Sequence, residues 1–518
     1  MSDYLWSISQ DGANNAAPVP QNRPRRRDAV NVRPNVTKDV IAIGSGRHGQ
    51  LGLGPAATNR VCKKPRLILP ATDQVVQLAV GSRHCAALTA SGKILTWGIN
   101  DSDALGRDSP HQTNFYPLEA TAFSKLGLNA CQVAVTDNAT FILLDNGFVY
   151  GWGTFFGSNG VYGFLRAASE CHQPPIRSQL YQSTPVQISG LSNVKQLAAG
   201  ANHVVALTHG GKVYVWGSGE LGELGRRIMS RHPSNNLVPR LVRLPRQGVK
   251  GIYAGQHHNF AIDTSGRVWA WGLNSYGQTG LPCNGSFGVD NTVIEPRLVD
   301  ALADYEIRHI AGGLHHSLAC TDGGSVLNWG RCDDGQAGVD LTSVPASHFI
   351  FDQAGIERIL VEPVLIPDKD AMFVAAGRDD SFFISEAEQR VRAWGSGEDY
   401  CTGFNTKNTI PRPKVVRKGD VDFTKFDYVG CGTTFTIIAG SPGVVIASSP
   451  SPSLEGYSTA DSSASESQDT KQMVLDDDKT DASSRVKIES ESLSPGIKSE
   501  PLSPGTKSEA SPGIKLEP

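Results

Sequence analysis

Long apolar runs, paired cysteines and a strong net charge are all missing from this 518-residue chain. No stretch reaches the roughly 18–20 consecutive apolar residues that a membrane-spanning helix needs, so we expect no membrane partner. The first ten residues, MSDYLWSISQ, lack the basic-then-apolar order of a secretory signal. The nine cysteines include no Cys-x-x-Cys pair, which favours neither a disulfide framework nor a zinc site. We therefore expect a reducing compartment, cytosol or nucleus, and neither a metal nor a cofactor.

No catalytic motif is present either. Five polar residues could be gathered into a catalytic-looking set, namely Asp137, Glu220, His257, His258 and His315. Nothing in their spacing places a nucleophile beside a base, and the phrase Gly-x-Ser-x-Gly is absent. We therefore expect a binding or regulatory protein that is not an enzyme.

The net charge of −3 combines two regions of opposite sign. Residues 447–518 hold 13 acidic and 7 basic side chains, a net charge of −6, which leaves +3 for residues 1–446. The acidic region is rich in Ser, Pro, Asp and Lys and cannot bury a core, so we predict a disordered tail over 447–518. Residues 1–37 are polar and aperiodic, and we predict a disordered basic arm there.

What the chain does contain is a repeated phrase: a hydrophobic strand, then Trp-Gly or a variant, then a loop ending near Leu-Gly. Six of the seven copies have the tryptophan. The closing glycines lie 54 to 65 residues apart, at Gly44, Gly98, Gly153, Gly217, Gly272, Gly330 and Gly395. A regular period of this length is typical of propeller blades.

Each copy predicts a blade of short antiparallel strands. Residues 195–217 predict three strands joined by a short loop and a Gly210-Gly211 turn. Residues 426–446 have the inner strands of a blade, whereas residues 39–54 have only the Trp-Gly-type strand. Pairing these two ends would close the ring and protect its edges. We therefore predict an all-β fold, a seven-bladed β-propeller over residues 38–446.

Two phrases resemble one protein family. Residues 98–109, GINDSDALGRDS, follow the pattern Gly-x-Asn-Asp, two residues, Ala or Val, Leu-Gly-Arg, any residue, Thr, and depart only at Ser109. A second phrase, Gly-x-x-His before apolar residues, ends at His84, His203, His258 and His316, and is lost at Ala139, Asp380 and Phe435. Both phrases are similar to those of the regulator of chromosome condensation family, and the resemblance covers residues 39–446.

A sharper marker is WGTFFGSNGVYGF at residues 152–164, which resembles the β-wedge of the family's exchange factors for the small GTPase Ran. An Asn-Gly turn flanked by apolar residues predicts a hairpin; a longer inter-strand loop with no partner is the alternative. The resemblance implies a wedge that displaces the phosphate-binding loop of Ran and releases GDP. The residues expected to form it are Phe155, Phe156, Gly157, Ser158, Asn159, Gly160 and Val161.

The resemblance also implies a GTPase-facing surface beside the Gly-x-x-His phrases. Asp137 resembles an acidic residue of that surface, and Asn202 stands where the family has an aspartate. His315 and His316 match paired histidines of the family, and for these two a structural and a GTPase-facing role both stay open. Histidines that satisfy buried backbone groups between blades are the favoured interpretation for the rest: His84, His203 and His258.

Two basic segments suggest contact with chromatin and an import receptor. In the arm, Arg23, Arg25, Arg26 and Arg27 resemble a short nuclear-import signal, and their charge also suits DNA phosphates. A merely solubilising arm is the alternative. The loop from residue 226 to 250 stands where the family presents arginines to histones. Its candidates are Arg243 and Arg246, and a solvated basic surface is an equal alternative.

The tail repeats an acceptor pattern for the modifier SUMO, aliphatic-Lys-x-Glu. Its lysines are Lys487, Lys498 and Lys515. Beside Lys498, the phrase around Ser503 resembles a phosphorylation-dependent version of that site, where a phosphate would add about −1.5 to −2 charges.

Together these features predict a GTPase regulator: a nuclear, chromatin-associated guanine-nucleotide exchange factor for Ran, with roles in nucleocytoplasmic transport and the cell cycle. Its expected partners are Ran, histones or nucleosomal DNA, and an import receptor. The alternative is a non-catalytic propeller scaffold of the same repeat family that binds chromatin or another protein, which does not require the hairpin.

Overall fold

Antiparallel β-sheet makes up nearly all the regular structure of the chain. The structure is a computed structural model and describes residues 30–108, 113–158, 160–164, 180–228, 233–245, 248–283, 291–352, 355–417 and 423–442. Within these ranges α1 (Thr121–Ser124) is a single helical turn, and no helix is long and apolar enough to cross a membrane. Short 3₁₀ turns lie at Ala57–Asn59, Ala71–Asp73, Pro233–Leu237, Asp300–Leu302, Leu341–Ser343, Ala346–His348 and Glu398–Tyr400.

Seven sheets form the blades, and their strands are numbered in chain order and named from the innermost outward. Blade 1 contains β3 (Val75–Val80), β4 (His84–Thr89), β5 (Ile94–Ile99) and β6 (Thr113–Glu119). Blade 2 contains β7 (Ala130–Val135), β8 (Ala139–Leu144), β9 (Val149–Gly153) and β12 (Gln182–Gln187). Blade 3 contains β13 (Val194–Ala199), β14 (His203–Thr208), β15 (Val213–Gly217) and β16 (Arg240–Leu241).

The remaining blades include one with an extra strand and one built from both ends of the chain. Blade 4 contains β17 (Val249–Ala254), β18 (His258–Asp263), β19 (Val268–Leu273) and β20 (Thr292–Leu298). Blade 5 contains β21 (Ile307–Gly312), β22 (His316–Thr321), β23 (Ser325–Arg331), β25 (Glu357–Lys369) and β24 (Phe349–Phe351). Blade 6 contains β26 (Ala371–Ala376), β27 (Asp380–Ser385), β28 (Val391–Gly395) and β29 (Ile410–Val415). Blade 7 contains β30 (Phe423–Cys431), β31 (Phe435–Pro442), β1 (Asp39–Ser45) and β2 (Val61–Leu69).

The split blade closes the ring, which confirms the predicted seven-bladed propeller. Strand β1 pairs with β31 over six residues, from Asp39 opposite Gly440 to Gly44 opposite Phe435. Lys38 and Asp427 form an ion pair beside this seam. The innermost strands contact their neighbours all round, including β3 against β30. They enclose a central cavity of about 450 Å³.

The two ends of the ring differ in their loops. One end, the mouth face, carries the loops between the innermost and second strand of each blade, at 81–83, 136–138, 200–202, 255–257, 313–315, 377–379 and 432–434. The other end, the turn face, carries the tight turns between the second and third strands. Glycines with positive φ make these turns as predicted, for example Gly147 (+76°) and Gly211 (+74°).

The Trp-Gly phrase is explained by packing between blades. All six tryptophans are buried, and Trp97 Nε1 donates a 2.9 Å hydrogen bond to the carbonyl of Gln50 in the preceding blade. Trp271 bonds likewise to the Glu223 carbonyl at 2.9 Å. The glycine after each tryptophan has φ between 98° and 118°, and a Cβ there would meet the mouth-face loop of its own blade. Only glycine fits, which is why this dipeptide recurs.

A segment ahead of β1 crosses the turn face. Residues 30–38, the strap, run from blade 7 over blade 1 to blades 2 and 3. The Asn31 side chain donates to the Val194 carbonyl (2.9 Å), and Arg33 Nε donates to the Ala130 carbonyl (2.6 Å). Contacts with the ring thus begin at Val30, ahead of the predicted start at residue 38.

Candidate functional site

Asp137 lies on the mouth face, at the rim of the central cavity. Its N–H donates to the Ala201 carbonyl in blade 3 (2.8 Å), and its Oδ1 accepts from the Ser82 N–H in blade 1 (3.2 Å). Burial raises the pKa of this carboxyl, and the hydrogen bonds from Ser82 act in the opposite direction. Asp137 is therefore a partly buried acidic group held between three blades at the mouth.

The histidines of the Gly-x-x-His phrases join neighbouring blades. In each case Nε2 contacts a side chain of the next blade. The distance is 2.9 Å from His84 to Thr140 Oγ1 and 2.7 Å from His203 to Asn259 Oδ1. From His258 to Ser317 Oγ it is 2.8 Å. All three imidazoles are fully buried. The predicted structural role between blades is confirmed, but the partners of Nε2 are side chains and not the predicted backbone groups.

The hydrogen-bond directions fix which nitrogen carries the proton. The Thr140 hydroxyl donates to the Ala104 carbonyl (2.8 Å), so it must accept from His84 Nε2–H. The opposite nitrogen, Nδ1, is buried and has no partner among the described residues. Burial also lowers the pKa of His84 to about 4, so this imidazole is neutral at physiological pH.

The paired histidines of blade 5 differ from each other. His316 is fully buried, and its Nε2 lies 2.8 Å from Ser381 Oγ in blade 6. Of the two roles left open for His316, the GTPase-facing one is therefore wrong, because the fully buried ring offers no surface for contact. His315 is half-buried on the mouth face with its ring 4.5 Å from that of Tyr276, and burial lowers its pKa to about 4.

Where the histidine is lost, its partner position has changed as well. Ala139 packs in one apolar cluster with Val204, and Phe435 in another with Cys85. In blade 6 the position is Asp380, which is 3% exposed. Burial, and next the charge of Asp379, raise the pKa of Asp380 to about 7. These exchanges keep each interface either polar on both sides or apolar on both sides.

The predicted hairpin forms on the mouth face after the Trp-Gly of blade 2. Strand β10 (Phe155–Gly157) pairs with β11 (Gly160–Gly163) as a separate two-stranded sheet. Gly157 opposes Gly160, so Gly160 lies in the second strand of the hairpin and not in the predicted Asn-Gly turn. Ser158 and Gly160 are exposed, whereas Asn159 lies outside the described residues.

Phe155 anchors the hairpin instead of contacting a partner. It is fully buried, and its ring stacks 5.9 Å from both Phe141 and Phe164. Phe155 therefore belongs to the predicted hairpin but lies at its buried base. The surface that the described hairpin presents is formed by Phe156, Gly157, Ser158, Gly160 and Val161.

Glu220, from the blade 3 loop, holds the hairpin, and no sequence pattern indicates this role. Its carboxylate accepts from the Ser158 N–H (2.7 Å), the Ser158 hydroxyl (3.1 Å) and the Tyr162 hydroxyl (3.0 Å). Asn202 Oδ1 accepts weakly from the Phe156 N–H (3.3 Å). Asn202 thus lies under the hairpin and is engaged with its backbone.

A second group that the sequence patterns do not reveal surrounds Tyr276 on the same face. The Arg331 and Arg358 guanidinium carbons lie 5.8 and 5.9 Å from its ring centroid. Arg331 also pairs with Asp333 (2.6 Å) and with Asp379 (3.0 Å). The arginine after Trp-Gly is peculiar to blade 5, but its partners come from distant positions that no local pattern indicates.

The structure places the arginines of the predicted histone-facing loop in different environments. Arg226 points inward and donates to the carbonyls of Val215 (3.1 Å) and Leu224 (3.2 Å), and burial lowers its pKa to about 10. Arg243 is exposed on the turn-face side of blade 3. Arg246, the arm residues Arg23, Arg25, Arg26 and Arg27, and the tail residues Lys487, Lys498, Ser503 and Lys515 lie outside the described residues.

No set of three or more His, Cys, Asp or Glu side chains is placed to hold a metal ion in the part of the chain that the structure describes. The same part contains eight cysteines, all free. Hydrogen bonding and shape, and not a metal centre, characterise the described part of this face.

Comparisons with known proteins agree with this architecture. The model of the RCC1-like domain matches residues 39–438. The chain is 35% identical to protein pim1 of Schizosaccharomyces pombe, over 82% of this chain and 79% of that protein. It is 31% identical to guanine nucleotide exchange factor SRM1 of Saccharomyces cerevisiae, over 78% of this chain and 87% of that protein.

Solved structures of yeast Prp20 superpose on most of the chain. The structure of Prp20p from Saccharomyces cerevisiae, described with its binding properties to Gsp1p and histones, gives a TM-score of 0.72 at 31% identity, covering 81% of this chain and 94% of that one. Yeast RCC1 (Prp20) bound to Kap60 also gives 0.72, at 30% identity over 86% and 97%.

Fold and mouth face together define a closed seven-bladed propeller with a hairpin on one face. The match to the family model and the identity to its members are specific beyond the fold. The chain belongs to the RCC1-like family, and its relatives include proteins named as guanine-nucleotide exchange factors.

Proposed function

We propose that this protein is a guanine-nucleotide exchange factor for the small GTPase Ran and that the hairpin of residues 155–163 is its wedge. The observation that carries the proposal is the exposed hairpin on the mouth face of a chain that is 31% identical to a named exchange factor. A scaffold of the same family would have no need of this hairpin.

The wedge acts by displacement and not by bond chemistry. Ran holds its nucleotide through backbone N–H groups of a phosphate-binding loop and through Mg²⁺. A hairpin that occupies part of that space weakens both contacts and stabilises the nucleotide-free GTPase. Each preference of about 1.4 kcal/mol for the empty state lowers nucleotide affinity tenfold. Release is accelerated for GDP and GTP alike, so nucleotide supply sets the direction.

The mouth face supplies polar contacts beside the wedge. Asp137 is linked through the Ala201 carbonyl to the loop of Asn202, which underlies the hairpin. His315 lies across the mouth in blade 5. We propose Asp137 and His315 as further contacts of Ran, and Asn202 as a contact that acts through the hairpin base.

The turn face is proposed to meet chromatin. The strap brings Val30 to the turn face, the side opposite the wedge. Arg243 is exposed on that side of blade 3. The binding of Prp20p to histones, and of Prp20 to Kap60, supports a nuclear protein with histones or nucleosomal DNA and an import receptor as partners.

The deciding experiment is release of fluorescent GDP from purified Ran with and without the full-length protein. Exchange activity is supported if a substoichiometric amount of the protein accelerates GDP release and if this acceleration falls when hairpin residues 158–161 are replaced. Binding to nucleosomes without any acceleration of GDP release would favour the scaffold instead.

A further inference from the structure

The hairpin is connected to the next blade by one carboxylate. Glu220 follows the Trp-Gly of blade 3 and reaches the hairpin of blade 2, 62 residues earlier in the chain. It receives three hydrogen bonds: two from Ser158 and one from Tyr162. Hydrogen bonds to an ionised acceptor are roughly twice as strong as neutral ones. One side chain therefore binds the tip and the second strand of the hairpin together.

The packing around this carboxylate is tight. A Cβ added to Gly157 would collide with the Tyr162 ring and come within 2.8 Å of Glu220 Oε1. Glycine at position 157 is thus required by the contact with Glu220 and Tyr162. Burial, together with the Glu220 hydrogen bond and charge, raises the pKa of Tyr162 to about 12, so its hydroxyl stays a donor.

The loop that carries Glu220 is itself fixed to blade 4. Three residues on, Glu223 is 3% exposed, accepts from the Leu221 N–H (2.8 Å) and lies 3.1 Å from His257 Nδ1. The Glu223 carbonyl accepts from Trp271 Nε1. The hairpin is therefore tied through this loop to the rigid interface of blades 3 and 4.

We propose that Glu220 is a positioning residue that holds the wedge hairpin in the direction needed for nucleotide exchange. Without it, the described part of the hairpin is held at its base, by Phe155 and by the 3.3 Å contact of Asn202, and along β11, by packing of Tyr162 on the core and by contact with the 3₁₀ turn Pro233–Leu237. These contacts lie away from the tip residue Ser158. A hairpin of two short strands is marginal in isolation. Loss of the carboxylate lets the tip sample many directions, of which few fit the GTPase. The activity part of this inference rests on the proposed function.

The test compares Glu220→Ala with Glu220→Gln and with Glu386→Ala in the full-length protein. Glu386 is the matched control: its carboxylate is also partly exposed and hydrogen-bonded, to Arg308 at 2.9 Å, but on the turn face. Amide hydrogen exchange of residues 155–163 measures hairpin mobility, and GDP release from Ran at varied Ran concentration separates kcat from KM.

We expect Glu220→Ala to speed amide exchange in 155–163 at least about tenfold and to lower kcat about tenfold, equivalent to about 1.4 kcal/mol, with KM altered less than about threefold. Glu220→Gln keeps one acceptor oxygen and should fall between Ala and the parent. Glu386→Ala should match the parent in both measurements, since it is remote from the hairpin.

Each other outcome is decisive. Unchanged amide exchange in Glu220→Ala would show that the carboxylate does not hold the hairpin. Faster amide exchange with undiminished GDP release would show that holding it is irrelevant to exchange. If the parent protein itself releases no GDP, the proposed function fails, and the amide measurement still decides whether Glu220 positions the hairpin.

Discussion

The mouth face and the turn face are opposite ends of the same strands, yet they are built differently. In five of the six blades whose second and third strands follow each other in the chain, the turn-face turn between them is short and contains a glycine with positive φ, and blade 6 has Gln389 (φ 52°) instead. Mouth-face loops vary, and they present Asp137 in blade 2, Asn202 in blade 3 and His315 in blade 5. Among the described residues, only this face carries a separate two-stranded hairpin outside the blades, β10 with β11. The repeat thus specifies the strands, whereas the differences between blades lie mainly in loops that contribute little to the core.

The two faces also differ in what covers them. The strap crosses the turn face and is tied to it through Asn31 and Arg33, whereas the mouth face keeps its polar rim open to the cavity. Since the ring between them is rigidly packed, partners on opposite faces need not compete. Breaking one face should leave the other intact, and only damage to the ring should affect both.

The largest effect is expected from truncation after residue 425, which destroys both faces. It removes β31 and most of β30, so β1 loses its partner and two sheet edges are exposed, which favours aggregation. Size-exclusion chromatography and circular dichroism measure the outcome. Truncation after residue 447 is the control and should leave a folded monomer. A soluble, monomeric 1–425 chain with native strand content would contradict closure of the ring by the split blade.

Replacement of residues 158–161 by a Gly-Ser linker should abolish the mouth-face activity alone. We expect GDP release from Ran to fall at least about 100-fold while the melting temperature stays within a few degrees, because the base residues Phe155 and Phe164 remain buried. Nucleosome binding by the same variant should equal that of the parent. Parental GDP release from the folded variant would rule out the hairpin as wedge.

Sequence patterns predict the strands better than the contacts between them. The seven blades and the split closure follow from a phrase that recurs along the chain, and the hairpin follows from a single local Asn-Gly phrase. The extra strand β24, the strap contacts of Asn31 and the hold of Glu220 on Ser158 do not, because each joins segments that no shared pattern links. The prediction for His316 is wrong for the same reason: its neighbour Ser381 lies 65 residues away, and only the fold buries the pair.

Asp380, at the mouth end of blade 6, should make the stability of the ring depend on pH. Burial, then the Asp379 charge, raise its pKa from an ordinary 3.8 to about 7. The folded state therefore holds this proton more tightly than the unfolded state. Its contribution to the free energy of unfolding, up to roughly 4 kcal/mol, is complete below pH ~4 and is lost as the pH rises through ~7.

Asp380→Asn should remove this dependence. Between pH 5.5 and pH 8, the melting temperature of Asp380→Asn is expected to change by several degrees less than that of the parent. The exposed Asp101, paired with Arg83 at 2.8 Å, provides the control Asp101→Asn, whose pH profile should follow the parent. Equal pH profiles for Asp380→Asn and the parent would place the pKa of Asp380 near its ordinary value.

Asp137→Ala should lower the rate of GDP release about tenfold, which is a smaller effect than that of replacing the wedge residues 158–161. The carboxylate lies at the mouth rim between three blades, so its removal costs a partner contact with modest loss of stability. His84→Ala is the matched comparison, since it removes a fully buried inter-blade hydrogen bond and should lower stability by about 2–3 kcal/mol with little effect on exchange by the folded fraction. Equal exchange rates after correction for folding would leave Asp137 with a structural role only.

The smallest effects are expected at the turn face, from the charged ends of the chain. Replacing Arg23, Arg25, Arg26 and Arg27 by Ala removes four positive charges that suit DNA phosphates and an import receptor. Nucleosome affinity at low salt should fall several-fold, nuclear accumulation should drop, and GDP release from free Ran should be unaltered because the wedge lies on the other face. Deleting the acidic residues 447–518 should instead tighten DNA binding slightly by removing like-charge repulsion, an effect that shrinks as salt rises. If the arm variant altered GDP release from free Ran while leaving nucleosome affinity unchanged, the two faces would not be independent.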